Sequence, residues 1–134
     1  MDWPTRAAVL VVDDSSAVRT FLGELIQRHG FHTHLAGGGQ EGVALYREHQ
    51  ATIALAVLDV QMPEMDGPAT LGELQKLNPA IPCVFVSGNI GLYTEGELID
   101  LGAIAVLAKP IDSRQLAGIL AAVQPGPSSD PGTR

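Results

Sequence analysis

Short apolar runs alternate with stretches of helical spacing along this chain. Ala7 to Val12, Ile53 to Leu58, Ile81 to Val86 and Ala103 to Ala108 are nearly continuous in small and branched apolar residues. They lack the apolar–polar alternation of a half-solvated strand, and so suit strands buried on both faces. Strands are predicted near 7–13, 32–36, 53–59, 82–87 and 103–108. Between them, Val18, Leu22, Leu25 and Ile26 recur at helical spacing, as do Leu116, Ile119, Leu120 and Val123. Helices are predicted near 16–29, 39–49, 68–77, 91–101 and 113–123. Gly91 and Gly96 weaken the fourth by about 1 kcal/mol each. Asp112, with Gln115 three positions on, has the pattern of an N-terminal cap for the last helix. Gly30, Gly102 and Asn78-Pro79 are natural helix stops.

Five strand–helix repeats imply an α/β fold, a doubly wound five-stranded parallel sheet with helices on both faces. In such folds the functional crevice lies beyond the carboxyl ends of the strands. Polar residues stand at those ends: Asp13 and Asp14 after the first run, Asp59 after the third, Ser87 after the fourth and Lys109 after the fifth. Three crowded carboxylates repel one another, and a hard divalent cation such as Mg²⁺ relieves that repulsion through oxygen ligands. Acids, a magnesium site and a lysine together point to phosphoryl chemistry.

Bulk properties narrow the partners. The chain has 134 residues, 46% of them hydrophobic and 17% charged, which suits one domain with a substantial core. A net charge of −7 argues against a direct nucleic-acid surface. No apolar run approaches the roughly 20 residues needed to span a bilayer, and the first residues lack the pattern of a signal peptide. A cytoplasmic location with no membrane partner is the expectation. Cys83 is the single cysteine, so no internal disulfide forms, and its apolar neighbours suggest a packed side chain. Gly37-Gly38-Gly39 lacks the Gly-Lys-Ser/Thr of a phosphate loop and reads as a turn before a helix. His29, His32, His34 and His49 have no partners at metal-ligand spacing and are expected to be solvated or partly packed. Residues 124–134 read as a disordered tail or linker after a domain spanning 1–123.

Four segments, in order and at strand ends, carry a family resemblance: Val11-Val12-Asp13-Asp14-Ser15, the stretch from Leu58-Asp59 to Asp66-Gly67, Val86-Ser87-Gly88, and Ala105 to Pro110. The chain resembles a receiver domain of the two-component response regulators, chemotaxis-regulator-like, over about residues 7–123. The resemblance implies the flavodoxin-like strand order 2-1-3-4-5. It makes Asp59 the phosphoacceptor, since a carboxylate can attack a phosphoryl group and hold it as an acyl phosphate. It implies Mg²⁺ held by Asp13, Asp14 and Asp59 with the backbone carbonyl of Gln61, Asp14 being favoured over Asp13 as direct ligand. Lys109 would meet the phosphoryl oxygens, and the Ser87 hydroxyl would bond one of them. Lys109-Pro110 becomes a candidate cis peptide. Gln61 and Asn89 would flank the phosphoryl group and tune its lifetime, an amide being able to orient an attacking water.

One departure concerns the readout. The family usually carries Tyr or Phe three residues before the lysine, where this chain has Val106. A valine is short and stiff and cannot swing as an aromatic ring does. The expectation is that Ser87 responds and output runs through backbone shifts at 88–96. The last helix has one cation, Arg114, and lacks the basic cluster of receivers that dimerise through charged pairs there.

The implied function is a phosphorelay switch. A sensor histidine kinase or histidine phosphotransfer protein donates to Asp59, docking near Ser15, Ser16 and the first helix. The domain then catalyses only its own phosphorylation and slow dephosphorylation, and signals to a downstream protein that the sequence does not name. One alternative is a magnesium-dependent phosphohydrolase with an aspartyl intermediate, although Asp13-Asp14-Ser15 lacks the second acid of an Asp-x-Asp motif. Another is a binding module that signals without phosphate.

Overall fold

The structure, a computed structural model, describes residues 6–88 and 93–123. Among these described residues ten elements alternate strictly: β1 Ala8–Val12, α1 Ser16–Arg28, β2 His32–Ala36, α2 Gly39–His49, β3 Ile53–Asp59, α3 Gly67–Leu77, β4 Cys83–Ser87, α4 Glu95–Asp100, β5 Ala105–Ala108 and α5 Ser113–Val123. The five strands form one parallel sheet in the order β2-β1-β3-β4-β5, as expected.

The continuous apolar runs are explained by what each side of the sheet meets. Leu10 and Val12 of β1, Ala56 and Leu58 of β3, and Phe85 of β4 pack with Tyr46 of α2, Leu71 and Leu74 of α3 and Leu98 of α4. The intervening Val9, Val11, Leu55, Val57, Val84 and Val86 pack with Leu22 and Ile26 of α1 and Leu116 and Leu120 of α5. Successive side chains of a strand point to opposite faces. With helices on both faces, both sets must be apolar, and alternation vanishes. Cys83 is part of this core, and burial pushes its thiol above the ordinary range.

The edge strands look different. β2 is largely exposed along His32 to Leu35. There His34 stacks on His49 at the end of α2, with ring centroids 4.0 Å apart and planes 15° from parallel. Burial and the neighbouring histidines hold the pKa of His34 below its ordinary value.

Helix ends carry their own chemistry. Ser15 caps α1 by accepting from the Val18 N–H, and Asp66 caps α3 by accepting from Ala69. α4 is shorter than predicted. Thr94 and Glu97 form a reciprocal capping box that starts it at Glu95, and Gly102, with φ of 121°, ends it. Gly30 closes α1 in the same way with φ of 91°. Asp112 accepts from the Arg114 N–H at 2.8 Å at the start of α5. The expected tail at 124–134, Asn89 and Gly91 lie outside the described residues.

Candidate functional site

Strand register brings the chemistry to one edge. Val12 lies level with Leu58, Asp59 with Val86, and Ser87 with Ala108. The residues that follow or end these strands, Asp13, Asp59, Ser87 and Lys109, therefore emerge side by side. Backbone bonds lock the alignment: the Asp13 N–H donates to the Ala36 carbonyl at 3.1 Å, and the Lys109 N–H to the Ser87 carbonyl at 3.0 Å.

Asp13 is fully buried. Its Oδ1 accepts from the Ser15 N–H at 2.9 Å and its Oδ2 from the Lys109 Nζ at 2.9 Å. The same ammonium lies 3.6 Å from Asp59 Oδ1, so one cation bridges two acids. The Lys109–Pro110 peptide is cis. Partial burial works against the charge of Lys109. The hydrogen bond to Asp13 and the charge of Asp59 outweigh it and hold the ammonium above its usual pKa.

Asp59 is 5% exposed. Burial, then the negative charge of Asp13, push its pKa up to about 6, against the pull of Lys109; Asp14 adds to the rise, and a hydrogen bond from the Gln61 backbone offsets part of it. Asp14 itself is exposed at the mouth of the site. Asp13, Asp14 and Asp59 each offer a carboxylate oxygen, and these lie within 4.8 Å of one another. Three hard oxygens this close, one on a carboxyl whose ionisation the cluster opposes, fit a divalent cation such as Mg²⁺.

Two contacts were not foreseen from the sequence. Arg19, one turn into α1, folds back so that its Nη1 donates to the Asp13 carbonyl at 2.7 Å, pinning the β1–α1 loop. Gly67 lies so close to β3 that a Cβ there would collide with the Asp59 carbonyl, and its N–H donates to the Val60 carbonyl at 2.8 Å. Glu64, between them, has φ of 70°, the left-handed region that costs a side-chain-bearing residue about 1 kcal/mol or more. Val106 is half-buried and packs against the α2–α3–α4 side of the core. Ser87 is 5% exposed at the strand end. Beside Lys109 a groove of about 280 Å³ opens, lined by Ala17, Val18, Phe21, Pro110 and Ile111 as well as the lysine.

Comparison with known proteins places this arrangement. The family model of the response regulator receiver domain matches residues 9–121. The transcriptional regulatory protein ZraR of Escherichia coli (strain K12) is 38% identical over 112 residues, covering 84% of this chain and 25% of that protein. The sensor kinase CckA of Brucella abortus (strain 2308) is 38% identical over 116 residues, covering 87% of this chain and 12% of that protein. The chain thus spans a quarter or less of the length of these curated relatives. Among solved structures, a CheX–CheY–BeF3–Mg²⁺ complex from Borrelia burgdorferi superposes with a TM-score of 0.80 at 26% identity, covering 87% of this chain and 88% of that one. Among the described residues, no helix is long and apolar enough to cross a membrane. Since the family match runs from β1 almost to the end of α5, the chain belongs to the response regulator receiver domain family, the phosphoacceptor switches of two-component signalling.

Proposed function

We propose that Asp59 is the residue that accepts the phosphoryl group, from a phosphohistidine on a sensor histidine kinase or histidine phosphotransfer protein. The carrying observation is the meeting of Asp59 with two further acids and a lysine at one sheet edge. An Asp59 carboxylate oxygen attacks phosphorus; an O–P bond forms, the N–P bond of the donor breaks, and the departing imidazole takes a proton from solvent. With a pKa of about 6, Asp59 is mostly ionised at pH 7 and able to act as the nucleophile. Asp13, Asp14 and Asp59, with the Gln61 carbonyl, would hold Mg²⁺. Bound there, the ion supplies neutralising charge for the phosphoryl oxygens. Lys109, already bridging Asp13 and Asp59, turns toward the new oxygens, and the Ser87 hydroxyl donates to one of them. Gln61 and Asn89 set the lifetime of the acyl phosphate by orienting water.

The domain performs no turnover beyond its own phosphorylation and slow dephosphorylation. Added phosphate brings about −1.5 to −2 charge and shifts an equilibrium between two forms of the domain. The apolar groove beside Lys109 suits the donor: its wall of Ala17, Val18 and Phe21 belongs to α1, and its far side is the segment carrying the lysine. A helix seated there would present its phosphohistidine to the acid cluster. The test is labelling by a small phosphodonor with and without Mg²⁺, for wild type and Asp59→Asn. Mg²⁺-dependent labelling of the wild type alone is expected; labelling of the mutant would place the acceptor elsewhere.

A further inference from the structure

Tyr93 stands immediately before Thr94, the N-cap of α4. Its ring packs against the α2–α3–α4 side of the core, the same cluster that Val106 joins. Its hydroxyl donates to Asp66 Oδ2 at 2.8 Å. The other oxygen of that carboxylate accepts from the Ala69 N–H at 2.9 Å and so caps α3. Asp66 is followed by Gly67, which rests directly on the backbone of Asp59 and Val60. A continuous set of contacts thus runs from the start of α4, through one carboxylate, to the backbone of the acceptor residue. Tyr93 also lies six residues beyond Ser87 in the chain.

We propose that Tyr93 is a positioning residue whose bond to Asp66 holds the β3–α3 loop and the start of α4 in the resting arrangement, so that phosphorylation of Asp59 must break it. The inference rests on the reading of Asp59 as acceptor. It assigns to Tyr93 a coupling that Val106, with no polar atom and a short side chain, cannot provide. The phenol carries the mark of the bond: its hydrogen bond to the Asp66 carboxylate, then burial and the charges of Asp66 and Glu97, hold its pKa above the ordinary value. A bond made only in the resting form favours that form. Removing it therefore raises the fraction of domains competent to react.

Two substitutions break the bond from opposite ends. Tyr93→Phe keeps the ring in the core. Asp66→Ser keeps an oxygen for capping α3, serine being as good a cap as aspartate, but leaves none for Tyr93. Labelling by acetyl phosphate with Mg²⁺ is expected to be about three- to tenfold faster in each single variant, and no faster in the double variant than in the singles, since both remove one interaction. Ultraviolet titration of tyrosinate in Asp66→Ser is expected to show Tyr93 ionising at lower pH than in wild type. Unchanged labelling rates, additive effects, or Tyr93→Phe melting earlier without labelling faster would overturn the proposal. Wild type that fails to label at all would instead overturn the acceptor reading on which it rests.

Discussion

Asp59 is where single-residue physics is most exposed. Folding raises its pKa from an ordinary carboxylate value to about 6, so between about pH 4 and pH 6 the folded state holds more protons than the unfolded one. The contribution of this group to stability is therefore undiminished below pH 4 and falls as pH rises through that window. Asp59→Asn should be more stable than wild type at pH 7 by about 1–3 kcal/mol, with the difference closing below pH 4, where the wild-type carboxyl is also neutral. Urea melts at both pH values without divalent cations check this; added Mg²⁺ should narrow the gap at pH 7. Glu64 tests a different cost. Its φ of 70° suits Asn better, so Glu64→Asn should raise stability by about 0.5 kcal/mol, read as a higher denaturation midpoint. The acids, Ser87 and Lys109 were legible in the sequence because polar residues at the ends of apolar runs have no packing reason to be there. Arg19 and Tyr93 were not. Each acts through a contact that its own local pattern does not announce: Arg19 through the Asp13 carbonyl, Tyr93 through a carboxylate 27 residues away.

At the level of elements, the apolar runs predicted β1, β3, β4 and β5 to within one or two residues, because buried strands write themselves into composition. α4 departs most from its predicted bounds. Gly96 dilutes its helical pattern, yet Thr94 and Glu97 already held the capping box that sets its start. Local capping chemistry outweighed the wider periodicity, and the helix came out as Glu95–Asp100. The β3–α3 connection shows the reverse. A helix starting near 68 was legible, but not that Gly67 is pressed against β3, a matter of tertiary distance. Gly67→Ala should force that loop away from the strand, costing about 1–3 kcal/mol. Because the backbone that the added Cβ strikes is that of Asp59 itself, the variant should also label more slowly than its lost stability explains. Labelling rates taken well below its melting temperature separate the two effects.

For the whole molecule, the doubly wound sheet does two separable things. Its strand ends bring three acids and a lysine together, while its helices offer surfaces that this cluster does not use. The groove beside Lys109 belongs to the second category. Phe21 forms part of its wall and is 44% exposed, so it contributes little to the core. The hydrogen bonds to Asp13 and Asp59 come instead from Ser15, Arg19, Lys109 and the Gln61 backbone. An aromatic side chain that folding leaves in water, in a groove shared with Lys109, fits an anchor for a docked helix, and such anchors dominate the energy of small interfaces. Phe21→Ser should therefore leave the melting temperature nearly unchanged, and labelling by acetyl phosphate unchanged, because a small donor needs no groove. Transfer from a phosphorylated histidine phosphotransfer protein should weaken about tenfold, equivalent to about 1.4 kcal/mol of lost binding, and should appear in KM rather than in the maximal rate. Equal loss with both donors would instead tie Phe21 to the acid cluster. No loss with either would move the docking surface to another face of the domain.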